Sequence, residues 1–288
     1  MPALEQKQSG LLCGSTLKLI ACIAMFVDHF GLVVFPQKMI FRMIGRLAFP
    51  LFAYFIAEGC KYTRNKLKHF LLIFSVGIIY FFFYLVAYDQ VYPSIFLTFS
   101  VSILNVYLID ALKRYAFSNS SSTDNENAAE NDNFVEKSRE ALTRVNKSRV
   151  LIAVTIALTA LAVSYIPFYF VTFDYGYIGM LAPVLISLFD FSKVSVSDKI
   201  GKLDCKTSRL AVLAIICVAL AIRNPALKAE LFGYRFTVQV CNLFSLPLLA
   251  LYNGKAGTKK LKYFFYAFYP LHLGVIMAIK IIIDILSV

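Results

Sequence analysis

The sequence contains no tryptophan and few charged residues, and the shortage of charge argues against an ordinary soluble protein. Only 16% of its 288 residues are Asp, Glu, Lys or Arg, against roughly 25% in an ordinary soluble domain. Its six cysteines form no CxxC pair and follow no regular spacing, and its three histidines are scattered along the chain. Neither a disulfide framework nor a metal site is therefore predicted.

Apolar residues make up 59% of the chain and include 27 Phe and 17 Tyr. Apolar runs of about 20 residues recur along it, each long enough to cross a hydrocarbon core of about 30 Å. Because the backbone in lipid must satisfy its own hydrogen bonds, these runs are predicted to be helices. The predicted fold class is an all-α, polytopic transmembrane helix bundle of about nine spans. The spans lie at about 17–35, 39–60, 69–88, 93–115, 149–170, 175–191, 209–223, 236–252 and 262–286.

The net charge of +12 lies mostly in short connections between apolar runs, which indicates membrane topology rather than nucleic-acid binding. Basic residues gather in four connections, at 61–68, 137–147, 193–209 and 255–262. If nine spans alternate, these connections share one side, which is predicted to be cytoplasmic together with the N-terminus. The first run carries ionisable residues and no small-residue cleavage site, so it is predicted to be a retained helix rather than a signal peptide.

Residues 118–133 contain almost no apolar side chain and cannot bury a core. They divide the sequence into three predicted parts. Residues 1–117 form a membrane part of four helices with the candidate active site, residues 118–148 form a disordered cytoplasmic linker, and residues 149–288 complete the bundle with about five helices.

Ionisable residues inside apolar runs are the candidate functional residues, because such groups usually face a bundle interior or a water-filled cavity. Lys18 and His29 are eleven residues apart, which places them on one face of the first helix, about 16 Å apart along its axis. Such a face suits a ligand from the cytosol whose phosphate end binds near Lys18 and whose reactive end lies near the imidazole of His29. The alternative is that Lys18 snorkels to the membrane edge and His29 is hydrogen-bonded by a neighbouring helix.

Asp28 points roughly 100° away from His29 around the helix, so it is not expected to orient that ring. Arg42 and Arg46 lie four residues apart on one face of the second span. A buried guanidinium stays charged and needs a carboxylate or a set of carbonyls. The two arginines therefore either form a structural ion pair with Asp28 or bind an anionic substrate group.

Three further residues in the spans invite an interpretation. Pro50 is expected to kink the second span, because it removes a backbone hydrogen bond. Glu58, near the cytoplasmic end of that span, is expected to pair with the basic cluster that begins at Lys61. His272 follows Pro270 near the middle of the last span, where it either lines a cavity or is simply hydrogen-bonded.

Three stretches resemble the TraX family. They are TLKLIACIAMFVDHFGLVVFP (16–36), FRMIGRLAFPLFAYFIAEGCKYTRN (41–65) and FFYAFYPLHLGVI (264–276). Members of this family are described as conjugal pilin acetylases or fimbrial assembly proteins of bacterial inner membranes. The resemblance implies a multi-pass protein of the bacterial cytoplasmic membrane.

TraX-type proteins in turn resemble the acyltransferase-3 group of membrane enzymes, which has a basic residue, ten intervening positions and a catalytic histidine on its first helix. Lys18 and His29 fit this spacing, with Lys in place of the usual Arg. The resemblance implies that His29 is the catalytic base, with Asp28 as a second catalytic candidate. It also implies that acetyl-CoA is the acyl donor, whose phosphates would be held by Lys18, Arg64 and Lys66.

Two functions follow from the sequence. The first is an integral membrane acyltransferase that moves an acetyl group from cytosolic acetyl-CoA to an amine or hydroxyl at or across the membrane. The second is a non-enzymatic membrane assembly factor or a small transporter. Nothing in the sequence specifies the acceptor, which would be a pilin, a glycan or a lipid.

Overall fold

The computed structural model describes residues 10–89, 91, 93–117, 132–189, 205–225, 227–231 and 233–286, which are mainly helical. The α-helices of these ranges are α1 (Gly14–Val34), α2 (Met39–Gly45), α3 (Ala48–Tyr62), α4 (Lys66–Tyr88), α5 (Ile95–Phe117), α6 (Asp132–Phe170), α7 (Gly176–Leu188), α8 (Cys205–Arg223), α9 (Ser245–Ala250) and α10 (Lys262–Leu286). Strands β1 (Lys228–Leu231) and β2 (Tyr234–Thr237) form an antiparallel hairpin that pairs Lys228 with Thr237. Short 3₁₀ helices at Val238–Phe244 and Lys259–Leu261 precede α9 and α10.

Helix α1 packs against three other helices in the first of two compact units, which contains the chain up to Ile103 and from Thr172 onward. Its neighbours there are α2, α3 and α10. Leu17 and Ala21 on α1 are fully buried. In the same unit α7 packs against α3 and α8, and α4 packs against α10. This unit contains all the candidate site residues.

The second unit, Leu104–Val171, consists of the rest of α5 and of α6. Within it the Asn105 amide donates a hydrogen bond of 2.9 Å to the Ser164 hydroxyl. In the apolar span Ser148–Phe170, only 6% of the residues of an 18-residue stretch are buried. Apolar side chains exposed along a segment of this length are what contact with lipid tails requires.

Six helical segments among the described residues are long and apolar enough to cross a membrane. They are Gly14–Val34, Met39–Tyr62, Lys66–Val86, Ile95–Ala116, Ser148–Phe170 and Phe264–Leu286. The predicted class of a multi-pass, helical membrane protein is therefore confirmed. The predicted spans at 175–191, 209–223 and 236–252 fall on shorter or more charged segments. Helix α7, for example, has 13 residues, which at 1.5 Å per residue is well short of 30 Å.

The second predicted span is interrupted at residues 46 and 47, since α2 ends at Gly45 and α3 begins at Ala48. Pro50 explains the break. It has no N–H to donate to the carbonyl of Arg46, four residues earlier, and its ring would clash with that carbonyl. In α3 it lies in the first turn, where a missing N–H costs nothing. Arg46 and Leu47 keep right-handed helical backbone angles, so the second span continues past this interruption, and the kink expected at Pro50 stays a prediction.

The predicted linker at 118–148 is described only in part. Residues 118–131 lie outside the described residues, and α6 begins at Asp132. The linker and the domain boundaries drawn from it stay predictions.

Helices α1 and α2 approach closely at two glycines. A Cβ on Gly45 would lie 2.2 Å from Asp28 Oδ1, and a Cβ on Gly31 would lie 2.1 Å from the Cβ of Phe41. No side chain larger than hydrogen fits at either position without movement of the neighbour. The two contacts bring the start of the second span against the C-terminal half of α1.

We predict that Gly45→Ala destabilises the protein by about 1–3 kcal/mol, because the added methyl overpacks the contact with Asp28. Thermal unfolding of the purified protein in detergent measures this loss. Gly274→Ala on α10 is the matched control, since a Cβ there meets nothing within 4 Å. A Gly45→Ala protein as stable as the control would contradict the close approach.

Candidate active site

A cavity of about 120 Å³ lies beside the C-terminal half of α1. Its wall combines apolar side chains with a concentration of polar ones that is unusual for membrane helices. The polar lining residues are Asp28, His29, Arg42, Arg46, Tyr80, Tyr84, Asp174, Tyr175 and Tyr269. The sequence brings them from α1, α2, α4, α10, the turn after α2 and the connection before α7.

Arg42 and Asp28 form an ion pair on one side of this cavity. Arg42 Nη1 donates to Asp28 Oδ2 at 2.6 Å, and the two side chains are 20% and 15% exposed. The second carboxylate oxygen, Oδ1, is buried and accepts no hydrogen bond. Of the two roles that the sequence left open for Arg42, pairing with Asp28 is the one present here.

Arg46 is more deeply buried, with 8% of its surface exposed. Its Nη1 donates to the Tyr175 hydroxyl at 3.2 Å, and its buried Nε has no hydrogen-bond partner. The Tyr175 ring stacks on Phe49 with the centroids 4.0 Å apart. Arg46 therefore retains an unused donor next to the cavity.

His29 meets His272 across the contact between α1 and α10. The distance from His29 Nδ1 to His272 Nε2 is 2.9 Å. His272 is 3% exposed, and its Nδ1 lies 3.0 Å from the carbonyl oxygen of Phe268. His29 lines the cavity, whereas His272 lies behind it as a hydrogen-bonded neighbour.

Tyrosines from α4 and α10 form another part of the wall. Tyr80 is 1% exposed, and its ring centroid lies 5.2 Å from that of Tyr84 and 4.8 Å from that of Tyr269. Tyr269 also meets the His272 ring edge to face at 5.5 Å. These hydroxyl-bearing rings give the cavity polar groups that carry no charge.

Lys18 and Glu58 belong to a second cluster at the opposite end of α1. Lys18 Nζ lies 5.1 Å from the centroid of the Phe55 ring. Glu58 Oε1 accepts a hydrogen bond of 3.1 Å from Tyr252, and its Oε2 is buried without a partner. Arg209, 5% exposed, lies over the Tyr54 ring at 4.3 Å and is the main cationic neighbour of Glu58. Glu58 is thus surrounded by cations, with Tyr252 as its hydrogen-bond donor.

The predicted site residues therefore separate into groups. Four of them meet at the cavity, with His272 in contact with one, while Lys18 and Glu58 lie in the second cluster. Arg64 is exposed and Lys66 is half-buried, at the start of α4. In the part of the chain that the structure describes, no three His, Cys, Asp or Glu residues form a metal-binding group.

Sequence reasoning missed Tyr80, Tyr175 and Tyr269 at the cavity and Arg209 in the second cluster. The sequence feature that could have indicated the three tyrosines is the presence of 17 Tyr in a chain without Trp. A buried tyrosine hydroxyl usually needs a polar partner. Arg209 was counted among the basic residues of a cytoplasmic connection. Only the packing of α8 shows that it is buried.

Residues 13–118 match the model of a family described as TraX protein. The resemblance drawn from residues 16–36 and 41–65 is thereby confirmed. The match includes α1 to α4 and α5, and with them Asp28, His29, Arg42 and Arg46.

Two curated proteins are similar to the chain. A probable fimbrial assembly protein FimC (serogroup H1) of Dichelobacter nodosus is 24% identical over 276 residues, which are 93% of this chain and 96% of that protein. An uncharacterized protein of Rickettsia prowazekii (strain Madrid E) is 40% identical over 60 residues, or 21% of this chain and 23% of that protein. No solved structure matches the chain.

Proposed function

We propose that the protein is an integral membrane acyltransferase that moves an acetyl group from acetyl-CoA to an amine or hydroxyl acceptor. The observation that carries the proposal is the position of His29. It lies on the wall of a polar cavity within apolar helices, beside Asp28 and two arginines. The TraX match, in a family whose members are described as pilin acetylases, supports the same chemistry.

In the proposed reaction His29 acts as general base. It takes a proton from the acceptor amine or hydroxyl while that group attacks the thioester carbonyl of acetyl-CoA. The new N–C or O–C bond forms, the C–S bond breaks, and the proton passes from His29 to the departing CoA thiolate. Asp28 holds Arg42 in place, and Arg46, with its free Nε, positions the acceptor or the developing oxyanion.

The second cluster is the proposed entry for the donor. Lys18 shares a face of α1 with His29, about 16 Å away along the axis, and a lysine binds phosphate as a point charge. Arg209 adds a cation that is already desolvated. Arg64 and Lys66 at the start of α4 would contribute to the approach of the CoA phosphates from the cytosol. The spacing of Lys18 and His29, which resembles that of the acyltransferase-3 group, supports this arrangement.

We further propose the finer topology that the basic connections indicate. It has nine spans in the bacterial inner membrane, with the N-terminus and the second cluster on the cytoplasmic side. The cavity then opens toward the outer half of the membrane, and acetyl groups travel outward.

The side of the C-terminus tests this topology, because nine spans place the two termini on opposite sides and six place them on the same side. We predict that, after Val288, a reporter that works only outside the cytoplasm is active and a reporter that works only in the cytoplasm is inactive. Before Met1 we predict the opposite result. A C-terminal reporter active in the cytoplasm would contradict nine spans.

A specific observation keeps a second function open, namely a membrane assembly factor without enzymatic activity. The Dichelobacter nodosus relative, which is similar over 93% of this chain, is named as a probable fimbrial assembly protein. In that case the Asp28–Arg42 pair and the two histidines would only stabilise the bundle.

We predict that His29→Gln lowers acetyl transfer by about 10²- to 10⁴-fold, the usual contribution of a general base. The measurement compares acetylated cell-envelope molecules in cells that carry the wild type, the variant or no gene. It identifies the acceptor at the same time.

The matched control is His69→Gln, because His69 on α4 lies against Gly59 and does not line the cavity. The control is expected to keep wild-type acetylation at equal membrane expression. Unchanged acetylation in the His29→Gln strain would rule out His29 as the base, and the same acetylation profile with and without the gene would favour the assembly factor.

A further inference from the structure

The contact between the two histidines fixes the position of a proton. His272 Nδ1 lies 3.0 Å from the carbonyl oxygen of Phe268. A carbonyl oxygen only accepts hydrogen bonds, so His272 Nδ1 must carry a hydrogen and donate it. In a neutral imidazole the other nitrogen is then unprotonated, and His272 Nε2 is therefore an acceptor.

The contact with His272 also determines which nitrogen of His29 carries a hydrogen. Its Nδ1 lies 2.9 Å from His272 Nε2, and two acceptors do not form a hydrogen bond. His29 Nδ1 must therefore carry the hydrogen that this contact shares. The remaining nitrogen of His29, Nε2, is then unprotonated and lies on the side of the ring away from His272. A positive charge on either ring would be costly within apolar helices, so both rings are taken as neutral.

Packing around His272 holds this arrangement in place. The Phe268 ring stacks on the His272 ring at 5.1 Å with an interplanar angle of 6°, and Tyr269 closes another side. The accepting carbonyl is one turn earlier on the same helix, so its distance to His272 does not depend on another element. Almost no room or solvent remains for the ring to turn.

We propose that His272 is a positioning residue that sets the tautomer of His29. By accepting the Nδ1 hydrogen of His29, it keeps His29 Nε2 unprotonated and available to the cavity. The consequence for catalysis rests on the proposed acetyl transfer, whereas the proton positions follow from the contacts alone. An orienting partner of this kind gives a catalytic histidine the correct tautomer in other enzymes.

The ¹⁵N NMR spectrum of the full-length protein, purified with ¹⁵N-labelled histidine, tests the tautomer without any assay of activity. The chain has three histidines, so single His→Gln variants assign every signal. In water the Nε2–H form of a free histidine predominates. The Nδ1–H form on His29 would therefore show that its surroundings in the protein set the tautomer. We expect a protonated Nδ1 and an unprotonated Nε2 for both His29 and His272. A protonated Nε2 on His29 in the wild type would overturn the proposal.

Two variants separate positioning from packing. His272→Gln offers a side-chain oxygen that can still accept from His29 Nδ1, so His29 is expected to keep the wild-type signals. His272→Leu removes the side-chain acceptor and leaves only the backbone carbonyl of Met25 beside His29, so a fraction of His29 is expected to change to the Nε2–H form. His29 signals that stay unchanged in His272→Leu would overturn the proposal even if both variants fold well.

The kinetic test distinguishes this proposal from the proposed function. If acetyl transfer occurs, His272→Leu is expected to lower kcat by about 10²- to 10⁴-fold with little change in KM for acetyl-CoA, and His272→Gln is expected to stay within tenfold of the wild type. Equal kcat values for both variants and the wild type would refute the positioning role. If the wild type transfers no acetyl group, the proposed function fails, while the NMR result still decides the proton positions.

Discussion

The ion pair between Asp28 and Arg42 makes a polar cavity possible inside this membrane protein. An unpaired charge within apolar helices is costly, and removing one partner of a buried pair typically costs about 3–5 kcal/mol. Gly45 lets α2 come close enough to α1 for the pair to form. Because Asp28 and His29 are consecutive residues on α1, the pair also fixes the helix that presents the imidazole. Arg46 can then remain beside the cavity with an unused donor.

The two polar clusters lie near opposite ends of α1 and differ in charge. The cluster around Lys18 and Glu58 is mainly cationic, while the cavity at His29 balances its arginines with Asp28 and Asp174. A donor with a phosphate-rich end and a reactive acetyl end fits such a division. Between the clusters the buried face of α1 is apolar, with Ala21, Ala24 and Met25. Under the proposed function, this division separates recognition of the charged CoA from chemistry at a drier site.

Local patterns in the sequence were enough to predict the helical membrane class and the pairing candidates of Asp28. Period and spacing place such residues on helix faces, and a buried arginine requires a carboxylate. The contact between His29 and His272, 243 residues apart, depends on how α10 packs against α1, which no spacing rule reveals. Arg209 was missed for the same reason. The span at α7 stays a prediction, since hydropathy alone does not show how many of its neighbours are lipid and how many are protein.

Binding of acetyl-CoA distinguishes an acetyl-CoA-dependent enzyme from an assembly factor, because only the enzyme needs a site for the donor. Equilibrium binding of acetyl-CoA to the purified protein should be saturable, and Lys18→Gln should weaken it about tenfold or more, the effect of losing a charge-assisted hydrogen bond. Lys228→Gln in the β-hairpin, the same change far along the chain from α1, should bind like the wild type. The absence of acetyl-CoA binding at any concentration would contradict the account.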